Sequence, residues 1–153
     1  NAIDFRARGN PLNLQTDGVR QISSGWYYLT STQYSLDDMA EIDRVEVLKG
    51  SSGLVNGAGY PGGTINRIRK RPTREFQASV SAGVSSWNNL RVDADLSGPL
   101  SEDRRLRGRV VAAAAEGESF RDHERRNSQL LYGTMEADLG SDTLLSVGLS
   151  FLV

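Results

Sequence analysis

The residue types best suited to binding chemistry in this sequence are a group of aromatic rings and two arginines that precede them. Trp26, Tyr27 and Tyr28 are consecutive, and Arg8 and Arg20 come before them. Aromatic faces offer flat contact surfaces, phenol and indole groups form hydrogen bonds, and a guanidinium attracts anionic groups. Together they suit a flat, hydrogen-bonding metal chelate that is neutral or anionic. The sequence leaves open the alternative that the rings only pack and the arginines form surface ion pairs.

A second charged feature is the basic run within residues 67–74. Such runs can bind nucleic acid. This one has no aromatic stacking platform, and the whole chain carries a net charge of −1. We therefore expect no nucleic-acid partner and favour pairing of the run with strand carboxylates. The cations are Arg67, Arg69, Lys70, Arg71 and Arg74, and the carboxylates are Asp93, Asp95, Glu136 and Asp138.

Catalytic and metal-binding residue types are sparse. The chain has no cysteine, and its single histidine, His123, lies in a charged segment typical of a solvated loop. The glycine-rich run Gly57–Gly63 lacks the Gly-Lys-Ser/Thr ending of a phosphate-binding loop. No Ser/His/Asp arrangement or isolated carboxylate pair suggests a reaction centre. We expect no enzyme activity, no protein-built metal site and no cofactor.

The first half of the chain predicts a small mixed α+β unit. Asp17-Gly18 is a tight-turn dipeptide. The segment Ser35–Ile42 is typical of a short helix with a serine cap and acidic residues in its first turn. Arg44–Leu48 and Thr64–Ile68 alternate as strands on either side of the glycine-rich run. This organisation changes at Pro72.

The second half predicts an antiparallel sheet of five strands. Apolar and polar residues alternate with a period of two in four of its segments, while Leu106–Ala115 alternates less cleanly. The longest apolar run, Val110–Ala115, is far shorter than the roughly 18 residues of a membrane helix. Alternation of this kind fits a transmembrane β-barrel and a soluble antiparallel sheet equally well.

Five strings, in order, resemble the plug domain of TonB-dependent outer-membrane receptors, specifically the siderophore-receptor branch. Further similarity follows at Trp87, at 93–100 and at 119–122, so the resemblance covers nearly the whole chain. The departures include Lys49 in place of the usual arginine and Ser51 in place of proline. The five strings are Asp4–Gly9, Thr16–Arg20, Ile42–Gly50, Gly57–Asn66 and Lys70–Pro72.

The resemblance implies a mixed fold in which an α+β plug portion is followed by antiparallel transmembrane barrel strands. Residues 1–72 would be the C-terminal part of the plug, and 73–153 the first five or so strands of a roughly 22-stranded barrel. It also implies a receptor in the bacterial outer membrane that binds ferric siderophores, possible types being hydroxamate and pyoverdine, and imports them. We expect the chain to be a piece of such a receptor, because it starts at Asn1 and ends in an unbroken apolar strand.

The resemblance also assigns roles to residues. Iron would arrive already wrapped in its chelator, so no cofactor is needed. The implied partners are the ferric siderophore, outer-membrane lipid, and a TonB-type energy-coupling protein acting through an N-terminal box outside this chain. The implied siderophore contacts at the plug apex are Arg8, Arg20, Trp26, Tyr27 and Tyr28. The implied plug-to-barrel contacts are Arg44, Lys49, Arg67 and Arg69.

Two alternatives stay open on the sequence. The chain could be a soluble β-rich ligand-binding or interaction module, in which the second half packs as a small sandwich. The receptor fold could instead carry a different cargo, such as cobalamin, haem or a sugar.

Overall fold

The computed structural model describes residues 6–20, 38–50, 60–86, 88–118, 125–140 and 142–153. These residues form eleven β-strands and one 3₁₀ turn. The chain divides into two compact units, Asn1–Arg69 and Lys70–Val153. Within the described ranges, no helix has the length and apolar character needed to cross a membrane.

The first unit contains a two-stranded hairpin and a four-stranded mixed sheet. The sheet has the order β4-β3-β6-β5, in which β3 runs parallel to β6 and the other neighbours are antiparallel. The strands are β1 (Arg6–Ala7) and β2 (Asn10–Pro11) in the hairpin, and β3 (Asn13–Thr16), β4 (Val19–Arg20), β5 (Ile42–Lys49) and β6 (Gly63–Arg69) in the sheet.

The predicted turn at Asp17-Gly18 is confirmed and joins β3 to β4. Both residues have positive φ, 52° at Asp17 and 79° at Gly18. This pair of left-handed conformations suits a two-residue hairpin, whose twist matches that of the strands it joins. Aspartate tolerates the conformation better than most residues, and glycine adopts it freely.

Two glycines at the start of β6 are required by close backbone approach. A Cβ atom at Gly62 would lie 2.6 Å from the carbonyl oxygen of Pro11. At Gly63, where φ is +132°, a Cβ atom would collide with the carbonyl oxygen of Leu48. Side chains larger than hydrogen are therefore excluded at both positions unless the backbone shifts.

The short helix predicted over Ser35–Ile42 is wrong in the described residues. The described part of Ser35–Ile42 holds a single 3₁₀ turn, Met39–Glu41, and the described residues contain no α-helix. Its N-cap is Asp38, whose side chain accepts a hydrogen bond from the amide of Ala40 at 2.9 Å. The turn ends at Glu41 because β5, with its alternating valines, begins at Ile42 and pairs with β6.

The second unit is a five-stranded antiparallel meander in the order β11-β10-β9-β8-β7, which confirms the five predicted strands. Strand β9 extends beyond the predicted Leu106–Ala115, because residues 116–118 continue the main-chain ladder opposite residues 125–127 of β10. The strands are β7 (Gln77–Ser85), β8 (Asn89–Pro99), β9 (Leu106–Glu118), β10 (Arg125–Asp138) and β11 (Leu144–Leu152).

The turn between β8 and β9 is organised by one carboxylate. Asp103 accepts hydrogen bonds from the Ser101 hydroxyl at 2.6 Å and from the Arg105 amide at 3.2 Å. The Ser101 hydroxyl is the main reason why the pKa of Asp103 lies below its ordinary value. Arg104 takes a positive φ of 57° to complete the turn.

The five-stranded sheet has one charged face and one apolar face. Along β10, Tyr132, Thr134 and Glu136 are buried, while the intervening Leu131 and Met135 are exposed. The apolar face is exposed on the other strands too, with Val84 83% exposed on β7 and Leu149 77% exposed on β11. Since successive strand residues point to opposite faces, the alternation in the sequence sets this division.

We expect Gly63→Ala to lower the free energy of unfolding by about 1–3 kcal/mol, because the new methyl group meets the Leu48 carbonyl in a left-handed conformation. Denaturant titration of the protein measures this change. The matched control is Gly83→Ala on β7, where a Cβ atom meets nothing within 4 Å. Equal stability of the two variants would contradict the close-approach argument.

Candidate functional site

The two described arginines of the predicted binding group lie on different hairpins of the first unit. Arg8 occupies the β1–β2 turn, with a positive φ of 51°, and Arg20 ends β4. Both side chains are exposed. Trp26, Tyr27 and Tyr28 lie outside the described residues, as does His123. The ligand contact of this group therefore stays a prediction, although β4 leads directly into the segment that carries the rings.

The Asp17-Gly18 turn is fastened to β6 by side chains. The Asp17 carboxylate accepts hydrogen bonds from the main-chain amide of Arg69 at 2.9 Å and from its Nε at 2.6 Å. The amide of Gly18 donates to Oδ1 of Asn66 at 3.0 Å. The turn that precedes the aromatic segment is thus held in a fixed position on the sheet.

The same network continues across β6 to β5. Asn66 donates from Nδ2 to Glu46 at 3.2 Å, and Glu46 accepts from Nε of Arg44 at 2.9 Å. Hydrogen bonds to Glu46 first, and then to Asp43, raise the pKa of the Arg44 guanidinium. These groups are exposed, so the network contributes more to orientation than to stability. It joins three of the five strings that carry the family resemblance.

Asn13 fastens the chain around the two close-packed glycines. Its Nδ2 donates to the carbonyl oxygens of Tyr60 and Gly63, at 3.2 and 3.1 Å, and its Oδ1 accepts from the Tyr60 amide at 3.1 Å. The Asn13 side chain is buried. Sequence reasoning missed this residue. Alternation with Leu12 and Leu14 predicts a polar side chain at this position but gives no sign that this polar side chain is the buried one.

The four predicted plug-to-barrel contacts do not share one face of the four-stranded sheet. Lys49, Arg67 and Arg69 lie on one side, because Lys49 pairs with Gly63 and the β6 residues alternate from there. Arg44 lies on the opposite side with Glu46. Within the first unit, Arg67 donates to the Thr16 hydroxyl at 3.4 Å and Arg69 to Asp17. Their contact with a barrel stays a prediction.

The charged face of the second unit carries a cluster of seven residues, which we call the charged cluster. It links β8, β9 and β10 with residues at the start of the unit. Its most buried members are the side chains of Glu136 and Arg107, 4% and 6% exposed. The members are Lys70, Arg71, Asp95, Arg107, Arg109, Glu136 and Asp138.

Each carboxylate of the charged cluster is satisfied by arginine or lysine. Asp95 binds both nitrogens of the Arg109 fork, at 2.8 and 2.7 Å, and Lys70 Nζ at 2.9 Å. Glu136 accepts from Nε of Arg71 at 2.6 Å and lies 3.5 Å from Arg107. Bidentate pairs of this kind are the strong form of the carboxylate–guanidinium interaction.

Asp138 completes the charged cluster by binding both terminal nitrogens of Arg107, at 2.7 and 3.0 Å. With every carboxylate held by cations, the cluster favours charge neutralisation over proton transfer. In the part of the chain that the structure describes, no group of three or more His, Cys, Asp or Glu side chains is arranged to hold a metal ion.

The predicted pairing of the basic run with strand carboxylates is found for Lys70 with Asp95 and for Arg71 with Glu136. Sequence reasoning missed the two strand partners Arg107 and Arg109. Both lie in β9, within Leu106–Ala115, where the alternation is unclear. The residues of β9 that point to the charged face change there from Arg107 and Arg109 to the apolar, buried Val111. The sequence does carry one indication of these partners: Arg107 and Arg109 are two residues apart, so both side chains lie on the same face of the sheet as Asp95.

Residues 1–64 match the family model of the TonB-dependent receptor plug domain. Over 149 residues, 97% of this chain and 18% of the relative, the sequence is 47% identical to the ferripyoverdine receptor of Pseudomonas aeruginosa. The chain spans about a fifth of the length of the curated relatives that it matches.

Two solved structures have the same fold over most of the chain. The outer-membrane ferripyoverdine receptor of P. aeruginosa bound to ferripyoverdine matches with a TM-score of 0.85 and 46% identity, over 97% of this chain and 20% of that one. The alcaligin outer-membrane receptor of Bordetella pertussis matches with a TM-score of 0.83 and 38% identity, over 97% and 25%.

We expect Arg107→Met to lower the free energy of unfolding by about 3 kcal/mol, because it removes a cation from between two carboxylates and leaves Glu136 buried. The control is Arg105→Met, which removes a 71% exposed arginine from a 3.6 Å surface pair with Asp103 and should cost less than about 1 kcal/mol. Denaturant titration gives the free energy of unfolding of each variant, and the two losses are compared. Equal losses would contradict a special role for the charged cluster.

We expect Asp17→Ala to destabilise the first unit more than Asp17→Asn. Asparagine tolerates the positive φ and keeps a hydrogen-bond acceptor for the Arg69 amide, whereas alanine loses both. Hydrogen exchange of the β3–β4 hairpin measures the difference. Identical exchange in the two variants would show that the turn does not depend on this side chain.

Proposed function

We propose that the chain, whose residues 1–64 match the plug-domain family model of TonB-dependent receptors, is part of an outer-membrane receptor that imports ferric siderophores of the pyoverdine type. Residues 1–72 would supply the C-terminal portion of the plug. Residues 73–153 would supply the first five strands of a roughly 22-stranded barrel. The protein is then a receptor and transporter rather than an enzyme.

The observation that carries this proposal is the two-faced sheet of the second unit. One face holds paired charges, and the other exposes large apolar residues, including Phe76, Val80 and Phe151 at 75%, 75% and 62%. A small soluble protein rarely leaves so much apolar surface in water. In a barrel wall the same face lies against lipid, and the charged face lines the lumen.

Strand length supports the same assignment. The five strands contain 9, 11, 13, 14 and 9 residues. A tilted strand needs about 9–11 residues to cross a bilayer. A sandwich would instead cover its apolar face with a second sheet. The meander order of neighbours is also that of an up-and-down barrel.

The cargo is proposed from the relatives. Those named above are receptors for ferripyoverdine and for alcaligin. The iron would enter as a finished chelate, so the protein needs to recognise the outside of a flat, hydrogen-bonding molecule. Trp26, Tyr27 and Tyr28, with Arg8 and Arg20, have the chemistry for such recognition.

Within this proposal, the first unit acts as a rigid support. The Asp17 and Asn13 contacts fix β3, β4 and the start of β6, so the aromatic segment begins from a defined position. Pre-positioning reduces the entropy that binding would otherwise cost. Energy for import would come from a TonB-type coupling protein, and outer-membrane lipid would surround the strands.

We expect the triple variant Trp26→Ala, Tyr27→Ala, Tyr28→Ala of the full-length receptor to bind ferripyoverdine about 100-fold more weakly, because each stacked ring contributes on the order of 1 kcal/mol. Binding is measured as the radioactive iron, supplied as ferripyoverdine, that energy-depleted cells retain. The control is Arg105→Ala in the β8–β9 turn, which removes a 71% exposed arginine that lies outside the proposed contact group and should leave binding normal.

Unchanged affinity of the triple variant would overturn the assignment of these rings. Absence of any ferripyoverdine uptake by the unmodified receptor, with uptake of another chelate, would overturn the proposed cargo. Cells that lack the receptor supply the background.

A further inference from the structure

The chain passes from its first unit to its second between Arg69 and Lys70, and the residues on both sides are held by ion pairs. In the first unit, Arg69 is bound by Asp17 through its amide and its Nε. In the second unit, Lys70 is bound by Asp95 and Arg71 by Glu136. No free linker separates the two sets of contacts.

Residues 70–73, which we call the anchor segment, are held along their main chain as well. The Tyr132 hydroxyl donates to the carbonyl oxygen of Lys70 at 2.9 Å, and Arg109 donates to that of Arg71 at 2.9 Å. The amide and the hydroxyl of Thr73 both donate to Oγ of Ser97 at 2.8 Å. The segment is thereby tied to β8, β9 and β10.

Three of the five groups that hold the anchor segment are buried, and the side chains of the other two, Asp95 and Arg109, are each 14% exposed. Ser97 and Tyr132 are each 3% exposed, and Glu136 is 4% exposed. Releasing the segment would leave a carboxylate, a phenol and a hydroxyl without these partners inside the protein, which is costly. The Asp17–Arg69 contact is different, because its side chains are 38% and 37% exposed and water can replace them.

We propose that residues 70–73 are a fixed anchor that stays bound to the five-stranded sheet throughout the import cycle. If the first unit rearranges to let cargo pass, the residues that move are then those up to Arg69, and residues 70–73 stay in place. Lys70, Arg71 and Thr73 are positioning residues, since they act by holding the chain and touch no cargo. The inference rests on the proposed function, because it assigns these residues a part in import.

A disulfide across the anchor tests the proposal. The hydroxyl oxygens of Thr73 and Ser97 are 2.8 Å apart, so the sulfur atoms of two cysteines at these positions can approach each other closely enough to bond. The double variant Thr73→Cys, Ser97→Cys is made in the full-length receptor, and the two single variants are the controls. Oxidation forms one new sulfur–sulfur bond with loss of two hydrogens to the added oxidant, and the intact mass confirms it.

We expect the oxidised double variant to import ferripyoverdine at the same rate as its reduced form, because a segment that never moves is unaffected by a covalent link. Loss of import on oxidation, with recovery on reduction, overturns the anchor. Failure of the two cysteines to form a disulfide also overturns it, since the hydroxyl groups then do not face each other.

Hydrogen exchange of the full-length receptor is a second readout that requires no transport. The Thr73 amide should exchange equally slowly with and without ferripyoverdine, and Arg71→Met should speed its exchange. Faster exchange of that amide in the ligand-bound wild type overturns the anchor. If the unmodified receptor imports no ferripyoverdine, the proposed function fails, and hydrogen exchange at Thr73 then decides whether the segment is anchored.

Discussion

The second unit depends on the neutralisation of carboxylates on the buried face of its sheet. Glu136, Asp95 and Asp138 are each paired there with arginines from the neighbouring strand or with cations from residues 70–71, which offsets the cost of burying carboxylates. The strand register brings these partners together: Glu136 pairs directly with Arg107. The opposite face needs no such arrangement, because its residues are apolar and can face lipid.

The first unit depends on a different constraint, the close approach of main chains around Gly62 and Gly63. The chain can come this near to Pro11 and Leu48 only without side chains, and the amides and carbonyls exposed by the turn are satisfied by Asn13. The Asp17 turn then ties β3 to the end of β6. Among the described residues of this unit, Ile42 is the only buried apolar side chain, so polar contacts supply most of what holds this part of the sheet.

The alternating segments predicted four strands of the second unit closely, because a period of two decides the face of every residue. Strand β9 was harder, since its inward face changes from Arg109 to Val111. The helix over Ser35–Ile42 was wrong in the described residues, because the pairing of β5 with β6 begins immediately after Glu41. The Asn13 contacts could not be predicted, because they join residues far apart in the sequence. The sequence predicted that the carboxylates lie on the polar face of the sheet. Their arginine partners on β9 could be assigned only from the pairing register of β9 with β8 and β10.

The central claim is that the five-stranded sheet is barrel wall with its apolar face in lipid. The direct test is to place a spin label at each position from 131 to 136 of the full-length receptor in bilayers and to measure collision with oxygen, which concentrates in lipid. The account predicts high accessibility at Leu131, Gly133 and Met135 and low accessibility at Tyr132, Thr134 and Glu136. Uniform accessibility along the strand, or the reverse alternation, would contradict it.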